Sequence, residues 1–407
     1  MVSLPKFGGD TTSWDEIEIE KIIKSNRNFL DKEIGRKYEL PALFINPTKD
    51  NPVEISEFLS HLNLSFLDNT LQQMFPRLSR IKENVYARIR FVVFMKLGNI
   101  RYIAEAYRKL ITNKEIAQNL GFNISNLPSY ETVRHFVNDL LQNKIEEIFY
   151  GVVKELEKQL KRKGKWSGNV VEDATVITAK RIDKEAKYSR YYKTYGWKKD
   201  LFIESNGIFL SYKDLEINDD EGCYMEYHLK KLNRLSIFIT HITTDGKYAT
   251  YYNIAMTKCQ YDAEFLYKPQ KGWVYNKKGK ERYIKERYSR YWKEKEFKAN
   301  ALIDYKLKFL YNRGEYEIVG AYYRNKRMEE WKENDSIRKR YAKERNSNEG
   351  FNSYLKNHAG FETNLHRRGK RYAFFHTTLC LLALNLVALT RLQNGVANNL
   401  ISVAYLT

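Results

Sequence analysis

Cysteine is scarce: Cys223, Cys259 and Cys380 are the only three in 407 residues, and no two form a C-x-x-C pair. A disulfide framework and a zinc ribbon are therefore excluded, and a reducing cytosol fits the composition. No signal-peptide pattern opens the chain, since VSLPKFGGD after Met1 lacks the charged and apolar regions of one. Uninterrupted apolar runs are also missing. The longest stretch, Tyr372 to Leu389, is broken by His376 and Asn385. It reads as a buried helix rather than a membrane span, with the two polar side chains satisfying nearby backbone. No internal repeat and no low-complexity tract is present.

What is abundant is positive charge. Lys and Arg total 70 against 50 Asp and Glu, a net charge of +20, which points to a polyanionic partner with nucleic acid first. The excess is unevenly placed. Residues 1–80 hold 10 basic and 12 acidic residues, leaving 60 against 38 for residues 81–407. A basic N-terminal arm is thereby excluded, and the charge belongs to the body of the protein. The hydrophobic fraction of 43% is that of a globular chain with a substantial core.

Four regions follow from patterning. Residues 1–80, punctuated by Pro and Asn, read as an irregular segment with one or two helices. Residues 81–165 read as helical, with apolar residues on a helical period in NVYARIRFVVFMKL and KIEEIFYGVVKELEKQLKRK. Within them Ile116, Ala117 and Leu120 form one apolar face, Gly121 ends a helix, and Ser129 caps the next. Helix, short turn and helix is the outline of a helix-turn-helix that presents Tyr130 and Arg134 to a DNA groove, against the alternative of an ordinary bundle. Residues 166–395 form an α/β region. Strands are expected at 169–177, 199–204, 207–217, 236–245 and 263–269, a helix at 223–235, and helices again in the final third. A basic insertion is expected at about residues 268–333, and 396–407 form a tail.

Asp173 lies within the first of these strands and Asp245 at the end of the fourth, followed by Gly246. Open α/β sheets place ligand sites at strand ends, and two carboxylates brought together there call for a cation. Residues 341–356, YAKERNSNEGFNSYLK, read as a helix. At 100° per residue, Arg345 lies about 40° from Glu349, Lys356 about 20° and Tyr341 about 80°, so all four share one face. Glu344 lies about 140° from Glu349 and cannot share it. Glu172 should point to the sheet face opposite Asp173. Asp183, Asp214, Asp219 and Asp220 read as turn residues.

The spacing Arg345-x3-Glu349-x6-Lys356, with Tyr341 upstream, resembles the tyrosine–arginine–glutamate–lysine signature of DDE transposases from bacterial and archaeal insertion sequences. VVEDATVI resembles the segment holding that family's first catalytic aspartate, and ITTDGKYAT its second. RRGKRYAFFHTTLCLLALNLVAL resembles the helix that follows the signature. One departure is visible, three residues between Tyr341 and Arg345 where the family has two. The resemblance spans roughly residues 81–395. It implies an α/β, RNase H-like fold: a five-stranded mixed sheet with flanking helices, preceded by a helical DNA-binding region. It further implies Asp173, Asp245 and Glu349 as catalytic, metal-binding carboxylates for Mg²⁺ or Mn²⁺, in a pair of ions, acting in DNA cleavage and strand transfer.

Arg345, Lys356 and Tyr341 then sit beside the scissile phosphate. Residues 271–300 hold 11 Lys/Arg, 4 Asp/Glu and 7 aromatics, a composition suited to gripping a backbone while stacking on bases. Lys277, Lys278, Arg282 and Trp292 are its candidate contacts. The similar stretch 179–199 is expected to overhang the site as a loop, with Lys180, Arg181, Arg190 and Lys193 on phosphates. The implied partners are double-stranded DNA, as transposon ends and target, and a second copy of the chain in the synaptic complex. No membrane is implied, and the location is cytoplasmic, at the nucleoid. Two alternatives use parts of the same set: a DNA-binding relative without catalysis, and a metal-dependent endonuclease that does not join strands.

Overall fold

A computed structural model describes residues 44–75, 82–140, 144–179, 183–270, 313–361 and 368–407. Residues 45–407 form one unit. Its helices are α1 (Ile55–Ser60), α2 (Asp68–Met74), α3 (Lys82–Leu97), α4 (Ile103–Thr112), α5 (Lys114–Asn119), α6 (Tyr130–Asp139), α7 (Ile145–Arg162), α8 (Met225–Arg234), α9 (Tyr251–Tyr261), α10 (Arg313–Glu333), α11 (Asp335–His358) and α12 (Lys370–Gln393). The strands are β1 (Asn169–Thr178), β2 (Lys187–Ser189), β3 (Thr194–Glu204), β4 (Phe209–Glu216), β5 (His241–Thr244) and β6 (Glu264–Tyr267).

The six strands make one mixed sheet. β3 lies antiparallel to β1 on one side and to β2 and β4 on the other. β1, β5 and β6 run parallel. Side chains alternate across the faces. Glu172, Asp200 and Phe202 point toward α8, where the Phe202 ring stacks on His228 at 4.6 Å. Asp173, Lys199 and Leu201 occupy the opposite face, toward α11 and α12, and Lys199 Nζ donates to Thr378 of α12 at 3.0 Å.

The helices follow from local sequence. In α7, Ile145, Ile148, Phe149, Val152, Val153, Leu156 and Leu160 fall on one stripe and are buried. Glu146 and Glu147 in its first turn, and Lys161 and Arg162 in its last, complement the helix dipole. α12 is apolar all round and is long and apolar enough to cross a membrane, yet 94% of its most apolar window is buried inside the protein. It packs on α7, α3 and β4 as a core helix. Its polar residues have local work. The Asn385 amide accepts from the backbone N–H of Phe209 at 3.0 Å and donates to the carbonyl of the same residue at 2.8 Å. His376 Nε2 donates to Gly360 O at 3.0 Å, and Lys96 Nζ donates to its Nδ1 at 2.7 Å.

Four sequence expectations change. First, Ser129 does cap α6, accepting from Thr132 N at 3.2 Å, and Gly121 adopts φ +90° past the end of α5. However, ten residues with a 3-10 turn at Ile124–Asn126 separate α5 from α6. α5 packs on α1 and α4 while α6 packs on α3 and α4, so the compact helix-turn-helix is not formed. Secondly, the strand expected at 236–245 is paired only over His241–Thr244. Ser236 takes φ +62° and Ile237 N bonds back to Leu232 O at 3.0 Å, so the first residues finish α8 instead. Thirdly, 179–199 is largely a hairpin of β2 and β3. Its Lys198 is buried against Glu221 at 2.5 Å, and Lys199 against Asp214. Finally, Asp214 is a strand residue of β4 and not a turn former.

Candidate active site

Asp173 sits mid-strand in β1, and the β1–β5 register ends at Glu172↔Thr244. Asp173 is the next residue of β1 and Asp245 the next after β5, and both carboxylates act on Arg345. Asp245 leaves the strand at that point. Its Oδ1 accepts from Gly246 N at 2.6 Å and caps the short 3-10 turn Gly246–Tyr248, with the side chain exposed. A Cβ at Gly246 would meet Lys268 O at 2.5 Å, so only glycine permits this close return.

α11 closes the site by packing on β1 and β5. Arg345 Nη1 lies 3.4 Å from Asp173 Oδ2, and the same oxygen accepts from Asn348 Nδ2 at 3.0 Å and Asn352 Nδ2 at 3.3 Å. Burial raises the Asp173 pKa, while Arg345 and Lys247 pull it down. Arg345 is itself held above its ordinary value. Burial works against its charge, but Asp173, Tyr341, Asp245 and Glu349 together outweigh it. Tyr341 is pushed up to about 12, first by burial and then, against Arg345, by Asp245, Asp173 and Glu349. Its ring meets Trp331 edge-on at 5.3 Å. Three carboxylates therefore act on one arginine and one tyrosine.

Glu349 is exposed, on the flank of that helix face, and Lys356 is half-buried two turns on. Glu344 takes a different direction. It accepts from Thr243 Oγ1 and lies 3.1 Å from His241 Nε2 and from Arg340 Nε. His241 also lies 3.1 Å from Glu264 through Nδ1. This group ties α11 to the start of β5 and to β6, away from Asp173.

Of the remaining sequence candidates, Arg190 and Lys193 are exposed in the turn between β2 and β3. Tyr192 in that turn has its pKa raised by burial and by Glu221, with smaller effects from Lys247 and Asp173, so the hairpin tip stands beside the site. Arg134 is on α6 and pairs with Glu131 at 2.6 Å. Lys180, Arg181, Lys277, Lys278, Arg282 and Trp292 lie outside the described residues.

Sequence reasoning missed Asn348, Asn352 and Lys247. The two asparagines were findable, because they stand three and seven residues after Arg345 and so share its helix face. Buried Oδ1 atoms of both, and Arg345 Nη1, have no hydrogen-bond partner within the protein. Among the described residues, the group whose ligand atoms lie within 4.8 Å of one another is Glu172, Asp200 and His228, on the other face of the sheet, and not Asp173, Asp245 and Glu349.

No protein-family profile and no curated protein matches the chain. Among solved structures it is similar to a cryo-EM structure of a piggyBac transposase synaptic complex with hairpin DNA. The two are 10% identical with a TM-score of 0.30, over 57% of this chain and 56% of that one.

Proposed function

We propose that the protein is a DDE-type DNA transposase, with Asp173, Asp245 and Glu349 as the carboxylates of one metal-dependent site. The observation that carries this reading is that Asp173 in mid-β1, Asp245 just past the end of β5, Tyr341 and Glu349 all act on Arg345 of α11. The strand order supports it. With the short β2 set aside, β4-β3-β1-β5-β6 is the five-stranded mixed arrangement expected of an RNase H-like domain.

The three carboxylates would hold Mg²⁺ or Mn²⁺, which supplies activation of the attacking oxygen and stabilisation of the leaving one. The chain's own residues do the rest. Asn348 and Asn352 donate to one oxygen of Asp173 and so orient the carboxylate that would help hold the ion. Arg345 neutralises the carboxylates in their free state and is placed to shift onto a DNA phosphate, with Lys356 beyond it. Arg190 and Lys193, on the hairpin tip, would hold the DNA backbone over the site, and the basic stretch at 271–300 would add contacts to the ends. The functional unit would be a dimer that synapses two ends in the cytoplasm.

Labelled DNA carrying the sequences that flank the gene tests this reading. Cleaved ends and joined products should both appear with Mg²⁺ or Mn²⁺ and vanish without them. Cleavage without joining supports an endonuclease, and binding without cleavage refutes catalysis.

A further inference from the structure

On the sheet face opposite Asp173, three titratable residues are buried together. Glu172 of β1, Asp200 of β3 and His228 of α8 are each fully inaccessible to solvent. One potential ligand atom from each lies within 4.8 Å of the other two. Neither Glu172 oxygen has a hydrogen-bond partner, although both are buried. An ionised carboxylate so placed costs several kcal/mol unless something neutralises it.

Two agents could do so, a proton shared with Asp200 or a cation, and the surroundings favour the cation. His228 Nε2 faces Asp200 Oδ2 at 3.3 Å. That is long for a charge-assisted hydrogen bond of about 2.7–2.9 Å. It matches the separation of about 3.3 Å between two ligands bound tetrahedrally at about 2.0–2.1 Å. The other ring nitrogen, Nδ1, lies 2.9 Å from Ser211 Oγ, which is 3.2 Å from the Tyr150 hydroxyl. Tyr248 donates to Asp200 Oδ1 at 3.1 Å. Outer partners on the far atoms of two ligands are the usual companions of a metal centre, since they fix tautomer and orientation. A shared proton would also leave one Glu172 oxygen without a partner.

We propose that Glu172, Asp200 and His228 form a buried structural site for one divalent transition-metal ion of the Zn²⁺ or Mn²⁺ class. One imidazole and two carboxylates suit such an ion better than Mg²⁺ or Ca²⁺. It would pin β1 to β3 and α8 from behind, holding the strand that carries Asp173. This site is independent of the proposed transposase activity.

The full-length chain, loaded with stoichiometric Zn²⁺ or Co²⁺ in excess Mg²⁺ and gel-filtered, is assayed for bound metal by mass spectrometry. Wild type and the Asp173→Asn/Asp245→Asn variant should each retain about one equivalent, while Glu172→Gln and His228→Gln retain less than about 0.1. Because those two variants sit in the core and can misfold, wild type loaded with Co²⁺ supplies a second reading. X-ray absorption should show one imidazole nitrogen and carboxylate oxygens about the ion. Three results overturn the proposal: no retained metal in wild type, retention that survives both core variants, or retention lost with Asp173→Asn/Asp245→Asn. An absorption spectrum without imidazole does so too.

Discussion

Asn385 offers a quantitative test of how α12 supports the sheet. β4 is an edge strand, and the Asn385 amide pairs with the backbone N–H and C=O of Phe209 much as a neighbouring strand would. Asn385→Leu removes both partners from buried groups. Each unsatisfied group costs about 1–3 kcal/mol, or about 2–6 for the two. The apolar side chain returns about 1 kcal/mol of burial, leaving a net loss of about 1–5. Asn385→Asp adds a sign. When protonated, the carboxyl can donate to the carbonyl and accept from the N–H. When ionised, it faces the carbonyl with a negative charge. Its folded pKa should therefore lie above the unfolded value of about 3.9, and the variant should be most stable below that pH and weaken as pH rises toward the folded value. Equilibrium urea unfolding, followed by tryptophan fluorescence between pH 4 and 8, measures both effects. A loss below about 1 kcal/mol for Asn385→Leu, or an Asp variant whose stability rises with pH relative to wild type, would refute the reasoning.

Two further tests concern α11 and its neighbours. His241 is buried between Glu264 and Glu344, and although burial lowers its pKa, the two carboxylates raise it above 6.5. Its stabilising contribution is fully present below 6.5 and fades as pH climbs through the folded value. The gap in melting temperature between wild type and His241→Gln should thus be widest in acid and narrow in base. A gap that widens above neutral pH contradicts the assignment. Gly320→Ala and Gly350→Ala should act in opposite directions in thermal unfolding. A Cβ at Gly320 would clash with the backbone carbonyl of Tyr251, forcing α10 off α9 at a cost of about 1–3 kcal/mol. At Gly350 nothing lies within 4 Å, so the added methyl should stabilise α11 by about 0.5–1 kcal/mol.

Features set by local pattern were legible in the sequence. The β1 strand with Asp173, the Ser129 cap, the burial of α12 and the sharing of one face by Tyr341 and Arg345 all follow from spacing within a few residues. The start of β3 at residues 194–198 was not, and the burial of Lys198, Lys199 and Asp200 runs against their charge. They are buried only because Glu221, Asp214 and Tyr248, distant in sequence, come to meet them. The stretch 236–240 failed for the opposite reason. Its apolar alternation is genuine, with Ile237 and Ile239 buried and Phe238 64% exposed, but the paired strand begins only at His241. The Glu172–Asp200–His228 cluster joins three elements across one sheet face, and no spacing along the chain announces it. Glu172 did read as facing away from Asp173; what it faces required the fold.

The choice of third carboxylate decides the account, since Glu344 and Glu349 lie on the same helix and only one can serve. Single-turnover cleavage of end DNA by Asp173→Asn, Glu349→Gln, Glu344→Gln and the Asp173→Asn/Glu349→Gln pair measures this directly. Residues acting as one unit lose activity together, so Asp173→Asn and Glu349→Gln should each fall by at least about 10³-fold and the pair no further. Glu344→Gln should keep cleavage within about tenfold of wild type, because Glu344 serves His241 and Thr243. Retained cleavage in Glu349→Gln alongside its loss in Glu344→Gln would contradict the account.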